Sequence, residues 1–226
     1  QTFDAFRKSL EREGGDVRAK AYAARCTLPL VQLHDGSARF VVADEWLGKK
    51  IPGERDAREL VRRYLAAFGP ATIADAQTWS GVPDLKETFD AIRGELVAFR
   101  DDKKRELFDL AKAPRPGADA EAPARFLPEF DNLVLSHKDR RRFVADAHRK
   151  SIYLPGLRVA PTFLAGGVVA GTWKIERKKA KATLSALPFG KLAKADQKTL
   201  AAEGEALARF AEPDASSYDV VIRSAQ

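Results

Sequence analysis

Apolar positions recur at helical spacing near the start of the chain and at strand spacing toward its end. "FDAFRKSLEREGG" (Phe3–Gly15) has the pattern of a short amphipathic helix stopped by Gly14-Gly15, and residues 16–26 read as a second helix. "LPLVQL" and "ARFVVA" then flank "HDG", a hairpin signal. The order recurs more fully downstream. "RDARELVRRYLAAFG" (Arg55–Gly69) aligns Leu60, Val61, Tyr64, Leu65 and Phe68 on one helical face and closes on a C-cap glycine. "TIADAQTWSG" opens with Thr72 as N-cap and Asp75 three residues on, an acidic variant of the capping box. "PDLKETFDAIRG" (Pro83–Gly94) predicts a third helix with Leu85, Phe89 and Ile92 as its core stripe. "LVAFR" and "RELFDL" around "DDKK" predict a two-stranded wing from Leu96 to Leu110.

Beyond a Pro/Ala/Gly-rich stretch the period changes to two. "PTFLA", "VVAGTWKIE" and "AKATLSALPF" predict a three-stranded meander, and "KADQKTLAAEGEALARFA" a helix covering one of its faces. The fold class expected is α+β. A partial winged-helix unit occupies residues 1–52, a complete one 53–112, a linker 113–124 and a small β-rich domain 125–226.

Charge sharpens this division. Residues 125–226 hold 18 Lys and Arg against 11 Asp and Glu, whereas residues 1–124 hold 21 of each, so the whole excess of +7 lies in the second part. A localised basic excess favours a polyanionic partner over general solubility. The densest cluster is Lys138, Arg140, Arg141 and Arg142; Arg149 and Lys150, and Arg177–Lys181 with Lys178 and Lys179 at its centre, add to it. These runs form either one phosphate-binding band or three separate solvated faces. Arg100, Lys103, Lys104 and Arg105 crowd the tip of the wing. The third helix offers Lys86 and Arg93 but also Glu87 and Asp90, which phosphates repel, so it reads equally as a recognition helix or a packing element. Phe143, Tyr153 and Trp173 are expected in the core rather than as base platforms.

Enzymatic signals are sparse. One cysteine, Cys26, excludes an internal disulfide and any multi-cysteine zinc site, and His34, His137 and His148 lack zinc-ligand spacing, so neither metal nor cofactor is expected. No phosphate loop or nucleophile elbow is present. In "RFLPEFDNLVLSHKDRRRF" (Arg125–Phe143), Glu129 and Asp131 raise the question of a catalytic carboxylate, but Asp131 ahead of Asn132 suits a backbone-bonding turn better. No stretch has the length of a membrane helix and no signal peptide is evident, so a cytoplasmic, nucleoid-associated location is expected. A chain that begins at Gln1 and contains no methionine reads as part of a longer protein.

Taken together, "LVRRYLAAFGPAT" with "WSG", "LFD" in the wing, "RFLPEFDNLVLSHKDR" and "PTFLAGGVVAGTWKI" resemble the bacterial winged-helix DNA glycosylases, which unhook interstrand crosslinks and remove bulky alkylated purines. The resemblance runs from about Leu28 to Val221. It implies tandem winged-helix units and a β-rich region forming a concave basic surface, with double-stranded, damaged DNA as partner and the chain acting as a monomer. In that family a Gln-x-Gln or Gln-x-Asp motif in the first unit positions the attacking water, and no such motif occurs in these 226 residues. "QLH" at Gln32–His34 is a superficial echo in the wrong unit. The expected role is therefore the DNA-binding, substrate-framing part of a repair glycosylase, with catalytic residues unassigned. The alternative is a non-enzymatic winged-helix DNA-binding protein or regulator.

Overall fold

The structure is a computed structural model that describes residues 30–32, 40–51, 56–117 and 119–223. The two N-terminal helices expected over residues 3–26, and the turn between the first two strands, lie outside the described residues. The chain divides into two compact units, residues 1–56 and 57–226, and each is described by itself.

In the first unit β1 (Leu30–Gln32) pairs antiparallel with β2 (Phe40–Val42), the register matching Leu30 to Val42 and Gln32 to Phe40 as the hairpin signal predicts. A short helix, α1 (Ala43–Leu47), follows at once and ends at Gly48 in the left-handed region. Its Asp44 carboxylate accepts from Ile51 N at 3.0 Å and ties down the exit of the chain.

The second unit opens with α2 (Ala57–Phe68), which buries Val61, Tyr64 and Leu65 and half-buries Leu60 and Phe68, the predicted stripe. Gly69 follows, but it is not a left-handed cap. A Cβ there would meet Asp109 Oδ1 at 2.5 Å and Leu65 O at 2.6 Å, so the close approach of Asp109 is what requires glycine. Helix α3 (Ile73–Ser80) starts with both halves of the capping box: Asp75 N donates to Thr72 Oγ1 at 3.1 Å, and Thr72 N donates to Asp75 Oδ2 at 2.9 Å.

The third helix is shorter than the periodicity suggests. Helix α4 spans Lys86–Ala91, and Arg93–Glu95 tightens into a 3-10 turn after Ile92 leaves helical geometry. Its stripe still does its work, since Leu85, Phe89 and Ile92 are all buried with Val61, Leu65 and Phe108. Strands β3 (Leu96–Arg100) and β4 (Glu106–Leu110) pair antiparallel from Leu96↔Leu110 to Arg100↔Glu106. Reciprocal bonds between Ala71 and Phe108, at 2.9 and 2.8 Å, fasten β4 to the link before α3.

The rest of the unit is built on a sheet larger than the expected meander. Strand β5 (Arg125–Leu127) leads to the one-turn helix α5 (Asn132–Leu135), the 3-10 turns Arg140–Arg142 and Asp146–His148, and helix α6 (Arg149–Ile152). A small hairpin of β6 (Tyr153–Leu154) and β7 (Arg158–Val159) follows. Strands β8 (Thr162–Ala165), β9 (Val168–Lys178) and β10 (Lys181–Pro188) form the predicted meander. Helix α7 (Lys194–Ala211) then crosses over to β11 (Ser217–Ile222), which pairs parallel to β10 and gives the order β11-β10-β9-β8-β5. As predicted, α7 lays one face on the sheet, with Leu200, Gly204 and Ala208 buried and Phe163, Ala186 and Phe126 beneath it. The result is a mixed α+β fold. Among the described residues, no helix is long and apolar enough to cross a membrane.

Candidate functional site

The arginine-rich segment is held from below by a carboxylate that the sequence marks only as a helix cap. Asp75 is 3% exposed, and its second oxygen accepts from Lys138 N at 2.8 Å and Asp139 N at 3.4 Å. One residue thus closes the N-terminus of α3 and fixes the backbone where the basic run begins. Tyr64 OH donates to Ser136 O at 2.8 Å, Trp79 Nε1 to Asn132 Oδ1 at 3.3 Å, and Arg142 Nη1 to Pro70 O at 2.8 Å. Burial drives the Tyr64 phenol well above its ordinary range, so it acts as a neutral donor. The turn before the segment is structural, as Asp131 suggests: its Oδ1 accepts from Leu133 N at 2.8 Å and starts α5.

Above this floor Asp139 joins two stretches that are more than thirty residues apart. Its carboxylate accepts from both Arg141 Nε, at 2.8 Å, and Arg141 Nη2, and it ion-pairs with Arg105 Nη1 at 3.0 Å. Arg105 also reaches Asp101 through Nε at 2.6 Å. The Arg141 hydrogen bonds, reinforced by the charge of Arg105, hold the Asp139 carboxyl well below the usual carboxylate range. The tip of the β3–β4 hairpin is therefore tied to the 138–142 segment. An open cleft of about 290 Å³ lies at the junction, lined by Asp101, Lys103, Arg105, His137, Arg141 and Arg142 among others.

Cations spread from both sides of this junction. Arg100, Lys103 and Lys104 are exposed on the hairpin, and Lys138 on the segment. Arg140 places its guanidinium 4.3 Å over the Tyr153 ring, and Arg149 stands 5.7 Å from the same ring with Lys150 exposed beside it. Two expected sites are occupied internally: Lys86 pairs with Asp90 at 2.5 Å, and Arg93 pairs with Glu106 at 3.1 Å while covering Phe108 at 4.6 Å. The third basic run is not brought alongside. Val169 N donates to Phe143 O at 2.8 Å, which puts the arginine segment at the start of β9. Lys178 ends that strand, and Lys179 follows it, about 30 Å away at about 3.3 Å per residue. There Arg177 pairs with Glu212 at 3.4 Å and donates to Asp214 O at 3.0 Å. The three aromatics are half-buried and tied to the fold: Phe143 and Tyr153 pack against the cluster of Val134, Val144 and Ile152, Tyr153 OH donates to Val134 O at 2.7 Å, and Trp173 Nε1 donates to Leu127 O at 2.8 Å.

His137, set aside as a zinc ligand for its spacing, is distinguished in the sequence by nothing but its place after an apolar run. It is 3% exposed, and its Nδ1 lies 2.7 Å from Ser136 Oγ. Ser136 Oγ already donates to Leu133 O, which assigns the proton of the pair to His137 Nδ1. Burial lowers the His137 pKa from its ordinary value, with Arg142 in the same direction and Asp75, the Phe68 backbone and Asp139 opposing. The folded state therefore binds this proton less readily than the unfolded chain, and stability falls as pH drops below about 6.5. The urea midpoint is expected to fall between pH 7 and pH 5, and to fall less in His137→Gln. Equal falls in the two proteins would contradict the assignment.

The comparisons with known proteins agree with this architecture. A family model described as "DNA glycosylase AlkZ-like" matches residues 2–210. An interstrand DNA cross-link repair glycosylase of Streptomyces sahachiroi is 29% identical over 140 residues, which are 58% of this chain and 37% of that protein. The solved structure of the Streptomyces sahachiroi DNA glycosylase AlkZ matches with a TM-score of 0.70 at 21% identity, over 98% of this chain and 64% of the other. At that identity the match speaks to the fold. The chain spans little more than a third of the curated relative and just under two thirds of the solved one.

Proposed function

Because the chain belongs to the AlkZ-like DNA glycosylase family, we propose that it supplies the duplex-gripping and substrate-framing surface of a repair glycosylase for alkylated or crosslinked bases. The observation that carries this reading is the Asp139 junction, which joins the cations of the β3–β4 tip to those of the 138–142 segment. Helices α2, α3 and α4 with the β3–β4 wing make a winged-helix unit within residues 53–112. The hairpin and α1 close another within residues 1–52, and residues 125–226 make the β-rich domain. Arg100, Lys103, Lys104, Lys138, Arg140, Arg142, Arg149 and Lys150 contact phosphates, with Arg105 and Arg141 beside them at the junction. Lys178 and Lys179 serve a separate stretch of backbone, and the internal pairing of Lys86 and Arg93 gives them a smaller part.

Excising a base also needs an accessible nucleotide, a positioned water and stabilisation of oxocarbenium-like charge. With no Gln-x-Gln or Gln-x-Asp motif in the 226 residues, none of them is assigned to water activation. A Gln-x-Gln or Gln-x-Asp motif in the full-length protein supports the enzyme, and its absence there the second reading, a DNA-binding regulator. A base-release assay of the full-length protein on alkylated, crosslinked and undamaged duplexes separates the two. Release from damaged duplexes alone is the expected result. Tight duplex binding without release would support the regulator, and failure to bind duplex would overturn both.

A further inference from the structure

Where β10 leaves the sheet and the chain turns into α7, two cations face one cleft that the proposed grip does not use. The cleft, of about 350 Å³, is lined by Pro188, Lys191, Leu192, Gln197, Ile222 and Arg223 among others, and no Asp or Glu is among the described residues that line it. Lys191 and Arg223 are both exposed, and among the described residues neither side chain makes an ion pair or a hydrogen bond. Elsewhere on this sheet the cations are matched: Lys174 pairs with Glu176 at 3.0 Å, Arg177 with Glu212 at 3.4 Å, and Lys181 with Asp219. A cleft lined by one sign of charge concentrates its field on an incoming counter-charge, here an anion.

The backbone that carries the two cations is pinned. Phe189 N donates to Ala170 O at 2.9 Å, Gln197 Nε2 to Leu192 O at 3.0 Å, and Arg223 N to Ala186 O at 2.9 Å. Leu192 and Ile222 pack onto the core beneath α7. Strand β10 runs antiparallel to β9, so Pro188, opposite Gly171, returns to the end of the sheet where Val169 N meets Phe143 O. That is the end at which the arginine segment sits. One contact joins the two directly: the His148 ring stacks on Phe189, with centroids 4.3 Å apart and planes at 13°. His148 immediately precedes Arg149 and Lys150, and Phe189 stands two residues before Lys191. The stack therefore puts the two cation groups within roughly 20 Å of each other, about six base-pair steps of a duplex.

We infer that the Lys191–Arg223 cleft is a second phosphate site, which holds the duplex backbone beyond the stretch gripped by residues 138–150. This rests on the proposed DNA-binding reading and extends it. The local grip becomes a track that runs from the arginine segment, past the stacked rings, to the end of β10. A polyanion long enough to reach both cation groups is the partner that this spacing fits, and each phosphate met in the cleft releases further condensed counterions.

The test compares the full-length protein with a Lys191→Ala/Arg223→Ala double variant, each binding an alkylated duplex long enough to span both sites. The double variant is expected to lose affinity on the order of 50-fold at about 0.1 M salt, and to lower the slope of log affinity against log salt by about 2. Its thermal midpoint stays at the wild-type value, because both side chains are exposed. The control, Lys174→Ala/Lys181→Ala, removes the same net charge from side chains that carboxylates already engage, and is expected to keep the wild-type slope. A double variant with the wild-type slope, or a control that loses as much slope as the double variant, overturns the second phosphate site and leaves the DNA-binding reading standing. No binding by the wild type overturns that reading as well.

Discussion

Alanine at Arg140, Arg141 and Arg142 together is expected to weaken duplex binding on the order of 100-fold at about 0.1 M salt, and to reduce the slope of log affinity against log salt by about 2. Each phosphate neutralised releases condensed counterions from the duplex, so removing contacts costs affinity and salt sensitivity together. The three side chains are not equivalent. Arg140 lies over Tyr153, Arg141 is held by Asp139, and Arg142 is anchored on Pro70 O. Thermal unfolding of the triple variant separates lost contacts from a loosened segment. Arg93→Ala is the control, because its guanidinium is already engaged by Glu106 and Phe108. A triple variant that is folded and keeps the wild-type salt slope contradicts the phosphate-grip assignment.

Asp75→Ala is expected to destabilise the protein by roughly 3 kcal/mol, with about 1 kcal/mol from the lost helix cap and the remainder from part-buried backbone donors left without an acceptor. The donors are identified: Thr72 N, Lys138 N and Asp139 N, with the Thr72 hydroxyl as a fourth. Because Lys138 and Asp139 open the arginine segment, the same change frees the segment that carries Arg140 to Arg142, and duplex binding weakens although no cation is removed. Asp75→Asn retains an acceptor oxygen and is expected to cost less. Urea unfolding of the two variants measures the difference, and a cost below about 1 kcal/mol for Asp75→Ala would contradict the tethering role.

These two variants also mark what a reading of the sequence reaches. The capping box at Thr72 and Asp75, the stripe of α2 and the β3–β4 hairpin depend on residues within a few positions of each other, and all are legible. The second duty of Asp75 depends on Lys138, sixty-three residues away, and no local pattern announces it. The same holds for Asp139 and Arg105, which read separately as two charge runs and meet only once the chain folds. Strand β11 alternates half-buried and exposed residues, but its pairing partner β10 lies on the far side of α7, so the sheet was legible only as a meander. The basic band failed at Lys178 and Lys179 for a related reason: an eleven-residue strand separates them from the arginine segment.

In the proposed function, DNA lies on one face made by the β3–β4 tip and residues 138–158. Hydrogen exchange of the full-length protein, with and without a duplex carrying an alkylated base, tests that placement most directly. Protection on binding is expected at residues 101–105 and 138–158, with the outer face of α7 unchanged. Protection confined to α7 or to the β9–β10 turn, with exchange at 101–105 and 138–158 unaltered, would contradict it.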